Sequence, residues 1–465
     1  LNGFPKASDS NLVSSFPFPR KPQKPFPYSA GDYAEVQVRS LGGLGEAIAF
    51  TAEDTEREFP IYIPFALPGE AGVIKFTRVT GNSIHGRWEE IYSRPPHQES
   101  GDSLHWQRQS PACEHFGNCG GCLLQHVPET SYQEFKTGIV LKNLRQLGFS
   151  ENRLDAIHFL PFASRRRVDL RFHRQDGEWQ PALFTYESHQ LISIRHCAIL
   201  LPELQRIIAG FSKAFHHLPE SSAPIACELT AADNGVTAVI ESGHAPSEET
   251  RKILHQAAIQ LGLIRLHLLA EGKLTLLHQQ ETPIITVGTA KLSLPPRCFL
   301  QATKQAQEIL TGFARDFLSE HKTVADLFCG IGIYAVALSQ QNISTSAYEV
   351  DSSMVKTLQH SQLGSYGKYL RMKQRDLFRT PLSPEELNSY KGVVINPPRA
   401  GAKAQCEQLA RSRVRDIVMI SCHPATFVRD AKTLIAGGYQ LISLIAIDQF
   451  VWSAHLEIAA CFRRC

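Results

Sequence analysis

No stretch of this sequence approaches the ~18 consecutive apolar residues that a membrane-spanning helix needs, so no helical span and no membrane partner are expected. The first residues lack the charged-then-apolar pattern of a secretory leader, so export is not expected either. Net charge is nearly absent: 48 Lys and Arg stand against 45 Asp and Glu, leaving +3. That balance is too even to argue for a nucleic-acid partner by itself. No internal repeat is visible, which argues against a solenoid or propeller.

What is present is ordinary globular composition, 43% hydrophobic and 20% charged over 465 residues. That length suits roughly two to four domains with real cores. Cysteine is plentiful at eleven. The number is odd and no leader is expected, so a disulfide framework fits poorly. A cytoplasmic setting, with clustered cysteines serving metal binding or catalysis, is the expectation. Six of them, Cys227, Cys298, Cys329, Cys406, Cys461 and Cys465, fall in no pattern.

Four segments can be drawn along the chain. Residues 1–30, with "SSFPFPRKPQKPFPYSAG", read as a flexible Pro-rich tail. Residues 31–92 offer short alternating strands broken by glycine turns, the pattern of a small β-barrel of the kind that often holds single-stranded nucleic acid. Residues 93–290 read as a mixed α+β central domain. Within it lie a cysteine cluster at 111–126, a helix at 131–148 that could pack on the next domain, and a basic stripe, "RRRVDLRFHR". That stripe sets Arg165, Arg166, Arg167, Arg171 and Arg174 against Asp169 alone, which suits phosphates or a solvated strand face equally. Residues 291–465 alternate strand and helix, which means a doubly wound α/β sheet.

In such a sheet, ligands bind at the carboxyl ends of the strands. "VADLFCGIGIYAVALS" runs from a strand through Gly330-x-Gly332 into a helix. A dinucleotide fingerprint needs a third glycine, but Ala335 stands there, which points away from NAD and towards S-adenosylmethionine. The next strand ends in Glu349, placed to grip ribose hydroxyls. A later strand ends at "NPPRAG", and another, Ile417–Ile420, delivers Ser421-Cys422-His423-Pro424 to a turn. Phe328, Glu349, Asn396 and Cys422 are therefore expected to face one cleft.

These motifs resemble the S-adenosylmethionine-dependent RNA uridine-5-methyltransferases over residues ~31–465. "SCHPATFVRD" is similar to that family's nucleophile motif, "DLFCGIGIYAVALS" to its cofactor loop, "RCFLQAT" to its Phe-x-Gln segment and "HLEIAACF" to its terminal His-x-Glu strand. The resemblance is strongest to the branch that methylates 23S ribosomal RNA and carries a TRAM barrel and an iron–sulfur cluster. It implies a Rossmann-like α/β methyltransferase domain behind a small barrel and a mixed α+β domain, acting as a monomer on 23S rRNA. Cys422 would be the nucleophile at carbon 6 of uracil and Glu457 the base that removes the carbon-5 proton. Gln301, Phe328, Glu349 and Asn396 match cofactor contacts, with Asp376 a candidate for the adenine end. Arg165, Arg166 and Arg167 match a substrate-facing stretch, and the target base would be flipped out of its stack.

Cys113, Cys119 and Cys122 form C-x5-C-x2-C, with Cys197 a plausible fourth. Spacing alone allows zinc or a [4Fe–4S] cluster, and the resemblance implies the cluster. The C-x3-C-x2-C of a radical enzyme is not present. His115, His126 and His196 read as ordinary polar residues. His423, Thr303 and Asn396 depart from residues common in the family, and Phe450 is not followed by the usual Pro. Two alternatives remain: uridine-5 methylation of transfer RNA, whose branch typically lacks barrel and cluster, and a non-catalytic ribosome-assembly RNA-binding protein.

Overall fold

A computed structural model describes residues 26–51, 59–80, 83–93, 106–219, 224–361 and 363–464. Most of the expected Pro-rich tail lies outside the described residues. Five strands, β1 (Tyr33–Leu41), β2 (Ala47–Thr51), β3 (Ile61–Ile63), β4 (Ala71–Thr80) and β5 (Ser83–Ser93), close a barrel in the order β1-β2-β3-β5-β4. Strict alternation makes this possible: Ala34, Val36 and Val38 of β1 point inward beside Ile61, Ile74 and Phe76. At Gly72 a Cβ would lie 2.1 Å from the Glu90 carbonyl oxygen, so only glycine lets β4 and β5 bend this tightly.

After the barrel comes α1 (Glu129–Gln146), then β6 (Leu154–Phe159). Seven strands follow: β7 (Arg167–Gln175), β8 (Glu178–Phe184), β9 (Leu191–Ser193), β10 (Ile225–Ala232), β11 (Gly235–Ser242), β12 (Leu263–Ala270) and β13 (Lys273–Gln279). They form one sheet in the order β13-β12-β11-β10-β7-β8-β9. Helices α2 (Pro202–Ala214) and α3 (Glu248–Leu261) bury their apolar stripes in a shared core, through Leu204, Ile208, Phe211, Leu254 and Ala258. A hairpin of β14 (Ile284–Val287) and β15 (Ala290–Ser293) leads onward.

The final unit alternates α4 (Lys304–Leu318), β16 (Thr323–Leu327), α5 (Ile333–Ser339), β17 (Ser344–Glu349), α6 (Ser352–Gln359), β18 (Leu370–Gln374), α7 (Pro384–Leu387), β19 (Gly392–Ile395), α8 (Lys403–Arg411), β20 (Asp416–Ser421), α9 (Pro424–Ala436), β21 (Tyr439–Asp448) and β22 (Glu457–Arg464). Its eight-stranded sheet runs β18-β17-β16-β19-β20-β22-β21-β6. All neighbours are parallel except where β22 inserts antiparallel between β20 and β21. This is the Rossmann-like architecture expected, with its barrel and mixed central unit. The expected division at 93–290 needs one correction. β6, inside that segment, pairs with β21 and completes the last sheet. Val140, Leu144 and Leu147 of α1 and its end pack in the same core as Ile417, Phe427 and Leu444. The chain therefore contributes to the catalytic sheet before it builds the central one.

Among the described residues no helix is long and apolar enough to cross a membrane.

Candidate active site

Register alone assembles the cleft. Leu327 pairs with Tyr348 and with Ile395, so Phe328, Glu349 and Asn396 leave β16, β17 and β19 at one level. Glu349 pairs with Gln374, which puts Asp376 just past the same edge. Ser421 sits opposite Ile458, so Cys422 and Glu457 emerge side by side from β20 and β22. A cavity of about 490 Å³ opens there, and Gln301, Phe328, Glu349, Asp376, Asn396, Cys422 and Glu457 all line it. All seven residues expected at the cofactor and catalytic centre meet in one cleft.

Backbone strain marks one end of the cleft. Phe328 adopts φ 61°, a left-handed conformation that is costly for a bulky residue and concentrates at functional sites. Gly330, at φ 55°, has no protein atom within 4 Å of where a Cβ would stand, so the backbone is left bare at the cavity wall. The Glu349 carboxylate accepts hydrogen bonds from Gly330 N at 2.9 Å, Val350 N at 2.8 Å and Asp351 N at 3.0 Å. It is thereby locked at the mouth of the α5 turn. Asp376 Oδ1 accepts from Phe378 N and Arg379 N, fixing its own turn. Phe299, Val350 and Phe378 stay exposed around the rim and supply the apolar surface an adenine ring needs. Gln301 is buried; its Nε2 closes no hydrogen bond of good geometry, with Tyr334 beside it. These features fit an adenosyl sulfonium cofactor.

At the other end, Glu457 is 2% exposed and its carboxyl is pushed up to about 8 by burial, with Gln449 opposing. The Cys422 thiol is also raised, first by burial and then by Glu457, while the Arg399 guanidinium beside it favours the thiolate. His423 caps α9, its Nδ1 accepting from Thr426 N at 3.4 Å. A histidine therefore performs the capping role in this motif.

Two runs of the chain clamp the loop between β21 and β22. Lys136, fully buried on α1, donates to Asp448 Oδ1 at 2.8 Å and to the His455 carbonyl at 2.6 Å. Tyr132 Oη donates to Asp448 Oδ2 at 2.5 Å and accepts from Trp452 N at 2.9 Å. Leu123 N and Leu124 N, directly after Cys122, donate to the Trp452 carbonyl. Trp452 itself has φ 60° and stacks on exposed Phe162 at 5.5 Å between ring centroids.

Cys113, Cys119, Cys122 and Cys197 converge from the cluster loop and from the segment before α2. Cys122 feels the other three electrostatically, Cys197 feels Cys119 and Cys113, and Cys119 feels Cys113; burial pushes Cys122 up to about 12 and Cys197 to about 11. Among the described residues, the group of three metal-type ligand atoms lying within 4.8 Å of one another is Glu46, His85 and Glu187. Arg78 already sits against it, 2.7 Å from His85 Nε2, so the charge a cation would supply is in place.

The basic stripe divides. Arg166 is 2% exposed and donates to the Gln301 carbonyl at 2.9 Å and Gln307 Oε1 at 2.8 Å. The expectation that it faces RNA is corrected: it is an internal strut between the central and catalytic units. Arg167 pairs with Glu228 at 3.0 Å and donates to the Cys298 carbonyl. Arg165 alone lies along the cleft side, its guanidinium 5.9 Å from the centre of the Phe450 ring, which lines the cavity. A charge run looks uniform in sequence, yet successive residues of an extended segment face opposite ways, which separates Arg166 from Arg165 and Arg167.

Comparison with known proteins bears on the same region. Residues 291–464 match the tRNA (Uracil-5-)-methyltransferase family. An uncharacterized RNA methyltransferase of Brucella suis is 31% identical over 427 residues, covering 92% of this chain and 97% of that one. The chain belongs to the S-adenosylmethionine-dependent RNA (uracil-5-)-methyltransferase family. The methyltransferase is also similar to the 23S rRNA (uracil(1939)-C(5))-methyltransferase RlmD of Pectobacterium atrosepticum, 27% identical over 92% of this chain and 93% of that one. In fold it matches the tRNA (uracil-54, C5)-methyltransferase of Pyrococcus abyssi in complex with S-adenosyl-L-homocysteine. The TM-score is 0.68 at 17% identity, over 92% of this chain and 99% of that one. Coverage that wide extends into the barrel, so an N-terminal barrel does not argue against a tRNA enzyme, contrary to the sequence-based expectation. The methyltransferase is an enzyme that moves a methyl group to carbon 5 of a uridine in RNA.

Sequence reasoning missed Gln449, Arg399, Phe162 and Trp452 at this site. Arg399 lay in the quoted "NPPRAG", and position after a strand end was its signal. For the other three, only tertiary contact reveals the role.

Proposed function

We propose that methyl transfer proceeds through a covalent adduct between Cys422 and carbon 6 of the target uracil. The meeting of Cys422 and Glu457 in the cleft, set by the β20–β22 register, carries this reading. Bound S-adenosylmethionine would supply an electrophilic methyl group; Phe328, Glu349 and Asn396, with Gln301 and Asp376, would hold it. Cys422, with Arg399 stabilising its thiolate, adds to carbon 6 and makes carbon 5 nucleophilic. Glu457 then takes the carbon-5 proton so that the sulfur can leave. Burial suits this task, because a carboxylate with an affinity near neutral is the stronger base.

Arg165, Arg399 and the stacked Phe162–Trp452 pair form the face proposed to receive RNA, cations for phosphates beside rings for unstacked bases. Transfer RNA stands first as target, since the matched family and the fold neighbour both act on it by name. The second reading is 23S rRNA, favoured by the relative of RlmD type. The four cysteines are proposed to hold a [4Fe–4S] cluster. A tetrahedral zinc site, with metal–sulfur bonds of about 2.3 Å, needs its sulfurs roughly 4 Å apart. A cubane instead spreads its thiolates over separate irons, and the resemblance of the sequence motifs favours it. A cytoplasmic monomer is part of the same reading. Incubating unmodified tRNA and 23S rRNA separately with methyl-labelled S-adenosylmethionine tests it: label as 5-methyluridine at one position of one RNA supports the reading, and label on neither refutes it.

A further inference from the structure

Gln449 belongs to none of the motifs, yet its amide is fixed by three hydrogen bonds directly behind the cleft. It is 2% exposed at the end of β21. Its Oε1 accepts from Ala302 N at 2.8 Å, while its Nε2 donates to Gln301 Oε1 at 2.6 Å and to Glu457 Oε2 at 2.8 Å. The orientation is forced. Flipped, the carbonyl would meet two acceptors and the amino group a donor. Ile447 pairs with Glu457 across β21 and β22, so Gln449 projects from the same face of the sheet as the carboxylate it touches.

We infer that Gln449 is a positioning residue for the proton-abstraction step, holding Glu457 oriented and available as its carboxylate. This rests on the proposed role of Glu457 as base. In that step the carboxylate takes the carbon-5 proton of the methylated adduct. The C5–H electrons become the C5–C6 double bond, and the C6–S bond breaks with its electrons returning to Cys422 as thiolate. A buried carboxylate needs at least one donor to remain charged, and Gln449 is the hydrogen-bond donor the structure gives Glu457. The titratable groups facing it are the Cys422 thiol from the end of β20 and the Tyr334 phenol from α5; neither brings positive charge. The same amide holds Gln301, so one side chain ties the cofactor wall to the base.

The test uses Gln449→Met, which keeps the volume and removes the donor, and Gln449→Asn, which keeps the amide at shorter reach. In single turnovers with methyl-labelled S-adenosylmethionine and whichever RNA the parent enzyme labels, the methylated protein–RNA adduct is followed on denaturing gels from pH 6.5 to 9. Both variants should accumulate it, with breakdown slowed about tenfold or more in Gln449→Met. The deficit should shrink as pH rises, because loss of the donor raises the pH at which Glu457 ionises. Affinity for S-adenosylhomocysteine should fall less than about threefold, which reports an intact fold. A uniform loss of rate with no adduct and an unmoved pH profile would overturn the inference. Glu457→Gln separates the two levels. If it accumulates adduct and the Gln449 variants do not, the base assignment stands and Gln449 is merely structural. If none accumulates adduct, the base assignment falls and this inference with it.

Discussion

Cys422 and Glu457 both act deprotonated, so rising pH favours the chemistry of each, while the Glu457 carboxyl also ties stability to pH. Burial and the neighbouring carboxylate hold the thiol above its ordinary value, so the reactive thiolate is the minor form at neutrality. Adduct formation should therefore speed up with pH from 7 to 9. Arg399→Ala should slow it further and move that rise to higher pH, as stopped assays of adduct yield can check. Cys422→Ala should lose methylation and adduct together while retaining RNA binding by filter assay; if methylation survives, the nucleophile is elsewhere. Glu457 also bears on stability. Folded, it keeps its proton to about pH 8, whereas its ordinary value is 4.5. The native state then binds more protons than the unfolded one between those values, and its contribution to stability falls as pH rises through the window. Glu457→Gln should be more stable than the parent at pH 8.5, by an amount on the order of a few kcal/mol and hence with a higher melting temperature, and match it near pH 4.5. Equal melting at both values would show the carboxyl is not held protonated.

At the scale of elements, the loop between β21 and β22 is held chiefly by α1. Lys136→Met leaves Asp448 buried without its cation and should cost about 3–5 kcal/mol in denaturant titrations. Adding Asp448→Leu should recover part of that loss, because the second charge is then gone as well. A single variant as stable as the parent would mean the clamp matters little. The strand-end motifs of this unit were legible in sequence, since glycine turns, an acid after β17 and a cysteine after β20 each mark a carboxyl edge locally. The role of α1 and β6 was not. β6 is six residues with no strong alternation, and nothing near it in the chain reveals that its partner is β21, almost three hundred positions away. Arg166 misled for a similar reason: its buried acceptors, Gln301 and Gln307, lie some 135 and 141 residues further on.

On the scale of the whole molecule, barrel, cysteine loop and the loop between β21 and β22 meet at one junction. Leu67 of the barrel unit, Leu124 and Tyr132 form a small buried core against which Trp452 packs. Gly45 approaches Ala454 directly, and Arg108 binds the fully buried Glu70 carboxylate of the barrel unit. The cysteine loop therefore braces the residue that carries the stacked aromatic pair. If it holds a [4Fe–4S] cluster, purified protein should show broad visible absorbance that Cys122→Ser removes. The same variant should weaken RNA binding more than S-adenosylhomocysteine binding, because the proposed cofactor contacts Phe328, Glu349 and Asp376 follow the far strands β16–β18.

The covalent step is open to direct observation with RNA carrying 5-fluorouridine at its target sites. Fluorine at carbon 5 cannot leave as a proton does, so an adduct that forms and is methylated cannot resolve. A methylated complex that survives denaturation, with its RNA fragment mapped by mass spectrometry to the peptide containing Cys422, is the predicted result. Attachment at another residue, or efficient methylation of ordinary RNA by an enzyme that forms no complex with the fluorinated one, would contradict it.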